Sequence, residues 1–253
     1  VNISVLHAES CNMELSPVAR KTLLLCGWCG PLAIIISLIG WLMAGVLPFP
    51  LGPGNTTEEV ARFYAGGTHV TMGIVVSSVS LGLVIPLVAG ITFVMWRTES
   101  KAPVLTFVQL VSGTVTCVCL LLPMLIMATA GFRSDRSPEL TVLLNDLSWL
   151  MFITPIAPFI IQNLAIAVAA LNGEGSLFPR WIGFLNLWVG FSFTFDILAF
   201  AFRSGPLAWN GFLIFWLALT TYSIWLICMG LTLRSLALNA SDSTQQVYAH
   251  DRY

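Results

Sequence analysis

The run "GFSFTFDILAFAFRSGP", residues 190–206, sets a single carboxylate, Asp196, in an apolar stretch that closes on Arg203. A carboxylate is expensive in hydrocarbon, and an acid held there marks a ligand, ion or proton site by default. With α-helical spacing, Ser192, Asp196, Ala199 and Arg203 share one face, at intervals of four, three and four. A purely structural account pairs Asp196 with Arg203, or has a neutral acid donate to a freed backbone carbonyl. A functional account turns Asp196 toward a polar, partly hydrated cavity with Arg203 and Trp209 nearer its mouth.

A second stretch, "ITPIAPFIIQNLAIA" (residues 153–167), bears on the same site. Pro155 and Pro158 lack the N–H groups that would satisfy the carbonyls of Met151 and Thr154. In lipid such carbonyls need another partner or a wet cavity. Gln162 and Asn163 follow about a turn later. The segment reads either as a kink tied by interhelical hydrogen bonds or as a broken helix lining a site. At ~1.5 Å per residue, Pro155 lies about 10 Å below the outer end of its helix near Trp149. Asp196 lies about 10 Å below the outer end of its own, near Arg203. The expected ligand site therefore gathers Asp196, Ser192, Arg203, Pro155 and Pro158, with Trp149, Asp146, Trp209 and Asn210 on its outer side.

Other chemistry finds little support. Cys26 and Cys29 form a CxxC in "LLLCGWCGPLAII". A redox pair needs an exposed, electropositive thiolate, and small, soft packing residues account better for sulfurs inside an apolar run. Cys117 and Cys119 sit mid-span on different faces. The three histidines, His7, His69 and His250, have no second ligand near them in sequence. No metal site, haem, di-iron cluster or other cofactor is expected from this chain alone. Lys21 and Lys101 stand at helix ends, so no buried lysine offers a Schiff base. No phosphate-binding loop or Ser/His pairing occurs.

The elements that position Asp196 follow from composition. The chain has 253 residues, 57% hydrophobic and 9% charged, whereas soluble domains carry about 25% charged residues. Too few charges remain to clothe a surface in water, so most of it faces lipid. A net charge of −1 without a basic patch argues against nucleic acid.

A bilayer core about 30 Å thick needs roughly 20 apolar residues per helix. Qualifying stretches lie near 22–47, 70–96, 103–130, 147–171, 180–203 and 210–234. The first is too long for a signal peptide. With the N-terminus inside, Arg20, Lys21, Arg97, Lys101, Arg180, Arg234 and Arg252 are cytoplasmic, while Arg62, Arg133, Arg136 and Arg203 are outside. That bias places both termini in the cytoplasm. Trp28, Trp96 and Trp181 near the inner boundaries, and Trp149 and Trp209 near the outer ones, suit an aromatic belt.

Local grammar adds detail. Ser16 and Pro17 open the first helix, and Ser137, Pro138 and Glu139 the fourth. In "GPGNTTEEVARFYAGG", Thr56 or Thr57 caps a short outer interfacial helix whose apolar side is Val60, Phe63 and Tyr64. Asn145 and Asp146 are expected to project into the outer aqueous layer. "MELSPVARKTLLL" resembles a natural start, so residues 1–12 carry no functional reading.

Five stretches, "TTEEVARFYAGGTHVTMG", "PELTVLLNDLSWL", "PFIIQNLAIAVAAL", "FPRWIGFLNLWVG" and "GPLAWNGFLIFW", resemble a family of uncharacterised bacterial integral membrane proteins, over about residues 22 to 235. The resemblance implies a six-helix inner-membrane protein and carries no catalytic residues. The cysteine pair stands outside its pattern.

The expectation is an all-α polytopic membrane helix bundle with six transmembrane helices. Residues 1–21 form a cytoplasmic tail, 22–235 the transmembrane domain and 236–253 a disordered cytoplasmic tail. Its partners are the lipid bilayer and either a small hydrophobic ligand or another membrane subunit. The leading function is binding or passing a small, mostly apolar molecule. The alternatives are an intramembrane acid–base enzyme acting on a lipid, with Asp196 as proton donor, and a structural subunit.

Overall fold

The computed structural model describes residues 13–99, 102–133, 135–172 and 176–242. The reading of residues 1–12, the tail beyond 242, and the positions of Lys101, Arg252, His7, His250 and Cys11 lie outside them. The described chain is an all-α bundle in which six helical spans are long and apolar enough to cross a membrane.

The first span is α1 (Pro17–Ala44). Ser16 Oγ accepts from the Ala19 N–H at 3.3 Å and Pro17 stands in the first turn, which fixes its start. Gly45, at φ 74°, ends it by bonding back to Leu42 and Trp41. The 28 residues of α1 span about 42 Å at ~1.5 Å per residue, so the helix tilts or projects beyond the hydrocarbon.

The short helix α2 (Thr57–Tyr64) has a full capping box. Thr56 Oγ1 accepts from Glu59 N and the Glu59 carboxylate accepts from Thr56 N. Glu59 also accepts from Asn55 Nδ2, and these bonds, the Asn55 one foremost, hold its carboxyl below the usual range.

The second span breaks into α3 (Thr68–Leu81) and α4 (Val84–Glu99). Pro86 gives the reason: its ring collides with the carbonyl four residues earlier, at Gly82, and it has no N–H to offer it. The chain bridges the break with tight bonds, Leu83 N to Ser80 O and Ile85 N to Gly82 O. The Glu99 carboxylate then accepts from Leu105 N and from Thr106 N and Oγ1, capping the third span, α5 (Val104–Ala130).

The fourth span is α6 (Pro138–Ile153) followed by α7 (Ile156–Asn172), separated at Thr154–Pro155. The fifth is α8 (Arg180–Ser192), which continues as a 3₁₀ segment, Phe193–Phe200. The sixth opens with one π turn, Phe212–Trp216, and continues as α9 (Leu217–Asn239). A two-residue parallel pairing, Glu14–Leu15 (β1) with Ser241–Asp242 (β2), joins the two ends of the described chain on one side of the bundle. Arg20 reinforces it by donating to the carbonyls of Ala237 and Leu238.

Small residues bring α1 close to its neighbours. Gly40 faces Gly73 and Ser77 of α3, and Ser77 Oγ donates to the Ser37 carbonyl at 2.8 Å. Gly27 and Gly30 face Gly230 and Leu226 of α9. Lipid tails supply no hydrophobic drive between helices, so close backbone approach of this kind carries the packing. Leu25, Ile35, Phe184, Phe191 and Phe212 are exposed and give the bundle an apolar exterior.

Two expectations are corrected. Trp149 and Trp209 are 2% and 4% exposed, so they belong to the core, not to an aromatic belt. Asn145 is 1% exposed, because α2 folds over α6 and the Tyr64 hydroxyl donates to Asn145 Oδ1 at 3.0 Å. Burial there pushes the Tyr64 hydroxyl's pKa upward.

Candidate functional site

A cavity lies inside the bundle where three spans lose regular α-helical winding. Pro155 and Ile156 from the α6–α7 break, Phe193 and Asp196 from the 3₁₀ segment, and Ile214 and Phe215 from the π turn all line it. Trp41 of α1, Thr116 and Cys119 of α5, and Tyr222 of α9 complete the polar-tipped part of the wall. About 80 Å³ is open to the centre of a water-sized sphere, several times the roughly 10–15 Å³ that admits one water by that measure.

Each break has a local cause. At Thr154 the N–H and hydroxyl both donate to the Leu150 carbonyl, and Ile156 N turns back to the Thr154 carbonyl at 2.8 Å. Thr154 is thereby satisfied, whereas Met151 has lost its donor to Pro155. Pro123 likewise removes the usual donor from the carbonyl of Cys119, a cavity residue. Beyond Ser192 the hydroxyls of Ser192 and Thr194 bond back to Trp188 O and Phe191 O, competing with the regular ladder. At three residues per turn, Phe193, Asp196 and Ala199 then share a face, and Asp196 and Ala199 are buried.

That change of winding separates the expected site residues. Asp196 and Pro155 line the cavity together. Ser192 is buried beside it with its hydroxyl spent on Trp188 O. Arg203 is exposed and does not line it, nor does Asp146, whose Oδ1 accepts from Asn145 Nδ2. Pro158 is half-buried on α7 outside the lining. Trp149 packs behind the wall, 6.3 Å from Trp41 and 5.8 Å from Phe215 between ring centroids. Trp209 Nε1 donates to Leu51 O at 2.8 Å, and Asn210 lies against Gly52, so both tie the loop after α1 to the segment before the sixth span.

The wall is chiefly apolar and aromatic, in contrast to the polar cavity that sequence spacing suggests. Trp41 stacks on Phe215 at 5.8 Å, and Phe159 lies 4.4 Å from Phe193 and 5.3 Å from Tyr222. Within it, three buried polar atoms have no hydrogen-bond partner among the described residues: Asp196 Oδ1, Trp41 Nε1 and Tyr222 Oη. Buried polar groups are nearly always paired. Gln109 Nε2, both polar side-chain atoms of Gln162, Asn163 Oδ1 and Arg234 Nε are unpartnered away from the cavity; what sets the other three apart is that their residues line one space.

Trp41 and Tyr222 are the contributors that sequence spacing passes over. Tyr222 does carry a signal, a polar-tipped aromatic in the middle of an apolar span. Gln162 and Asn163 turn into the bundle but do not line the cavity. Gln162 lies against Gly113, and Thr92 Oγ1 donates to Gln109 Oε1 at 2.7 Å nearby on α4 and α5. Cys26 and Cys29 are free thiols, half-buried on α1. Comparison of the chain with protein-family models, curated proteins and solved structures gave no match.

Proposed function

We propose that this is a multi-pass protein of a bacterial cytoplasmic membrane that binds or passes a small, mostly apolar molecule through the Asp196 cavity. One observation carries the reading: three broken spans meet around a single cavity that holds an unpartnered buried carboxylate. Broken helices at membrane depth are tolerated where they line a cavity, and they recur at transporter sites. π turns likewise concentrate at functional positions. Its structural domain is the 22–235 core, and it acts alone or as an accessory subunit.

The test fills the space. Ala218 lines the cavity on α9, and Ala218→Phe projects a ring into it. Ethylbenzene is the probe, measured against wild-type protein in nanodiscs and corrected for partitioning into empty discs. Saturable binding is expected in the wild type, with at least a tenfold loss (~1.4 kcal/mol) in the variant. Equal, non-saturable uptake by both would remove the ligand-site reading.

A second reading, proton transfer on a lipid, gains from Tyr222, which places a second acid–base group in the cavity with Asp196. Turnover of a co-purifying lipid, lost in Tyr222→Phe with binding retained, would favour it.

The proposed orientation puts both termini in the cytoplasm. On a cysteine-free background, Ala65→Cys is expected to react with an impermeant thiol reagent from outside. Ala102→Cys is expected to react only from inside. Both positions are exposed, and the reverse labelling pattern would invert the topology.

A further inference from the structure

We infer that the cavity selects a small organic cation, an aromatic or alkyl amine whose ammonium group faces Asp196. The inference rests on the cavity being a ligand site and names the chemistry of what enters it. Asp196 is 1% exposed, and no basic side chain lines the space around it. Arg203, the nearest cation in sequence, is exposed and does not line the cavity. A carboxylate against chiefly apolar walls is costly until an opposite charge or a donor reaches it; among the described residues nothing bonds to Asp196 Oδ1, and the Trp41 and Tyr222 donors that line the same cavity are themselves unpartnered.

The rest of the wall fits the same ligand. Trp41, Phe152, Phe159, Phe193, Phe215 and Tyr222 line the space, and an aromatic ring that meets a cation with its face attracts it through its quadrupole. Such cages are a recurring solution for ammonium ligands. Cys119, whose carbonyl has lost its usual donor to Pro123, also lines the cavity. An anion would meet Asp196 with no compensating charge, and a pure hydrocarbon would leave the carboxylate unpaired.

A matched series separates the possibilities: ethylbenzene, benzyl alcohol and benzylammonium, close in shape and differing at one terminal group. Affinities are measured on the full chain in nanodiscs at pH 7, each corrected for uptake by empty discs. The expected order is benzylammonium about tenfold or more tighter than ethylbenzene, consistent with one desolvated cation–aromatic and carboxylate contact. In Asp196→Asn the ratio of those two affinities should fall close to one, and in Asp196→Glu it should largely return.

Equal wild-type affinities for benzylammonium and ethylbenzene would overturn the inference while leaving an apolar ligand site standing. Benzyl alcohol binding best would overturn the charge and keep only a neutral donor. Saturable binding by none of the three would remove the ligand site and the inference with it. The wild-type series decides these outcomes even if Asp196→Asn fails to fold.

Discussion

Replacing Gly73 by alanine should lower the stability of the bundle by about 1–3 kcal/mol, the usual range for overpacking a close contact. A Cβ on Gly73 would sit 2.5 Å from the Gly40 carbonyl oxygen and 2.6 Å from Ala44 N. Both are backbone atoms, so no rotamer change relieves the clash and α1 and α3 must separate. The reciprocal change, Gly40→Ala, meets the Gly73 carbonyl oxygen at 2.6 Å. One separation relieves both clashes, so the double variant should lose less than the sum of the single losses. Gly54→Ala is the control, because a Cβ there meets nothing within 4 Å. The measurement is thermal unfolding in detergent, followed by loss of the monodisperse peak. Gly73→Ala unfolding at the wild-type temperature would mean that α1 and α3 do not pack through this face.

The small-residue contacts show what a single sequence reveals. Apolar length alone places the six spans, and Ser16, Thr56 and Ser137 mark helix starts because a cap is a local event within one turn. The break at Thr154 is legible from Pro158, whose ring opposes the carbonyl four residues earlier. The same rule applied to Pro86 yields the break at Gly82, which hydropathy hides because the apolar run is uninterrupted.

The site was less legible, for two physical reasons. A period of 3.6 puts Arg203 on the Asp196 face, whereas 3₁₀ winding from Phe193 carries it away. Sequence spacing presumes the winding it is meant to predict. Trp41 and Tyr222 join Asp196 around the cavity only through the order in which spans pack, a long-range property that hydropathy does not encode. Asn145 is a further case: polarity suggests water, but its partner Tyr64 lies on a helix 81 residues earlier.

Asp196→Leu is expected to stabilise the ligand-free protein, by about 1–3 kcal/mol. A structural acid behaves oppositely: truncating one member of a buried pair strands the other and destabilises. Among the described residues Asp196 has no such member, since Oδ1 lacks a partner and the surrounding wall is chiefly apolar. Leucine is close to aspartate in shape, removes the unsatisfied group and adds contacts with Phe193, Ile214 and Phe215 across the cavity. Asparagine, still polar and still unpaired, should fall between the two. The measurement is again thermal unfolding of ligand-free protein, with benzylammonium binding recorded in parallel. Higher stability together with lost amine binding would identify Asp196 as a residue retained for function at a cost to stability, as strained and unpaired groups at binding sites are. An unfolding temperature several degrees below wild type would instead mean that the carboxylate has a structural partner within the bundle.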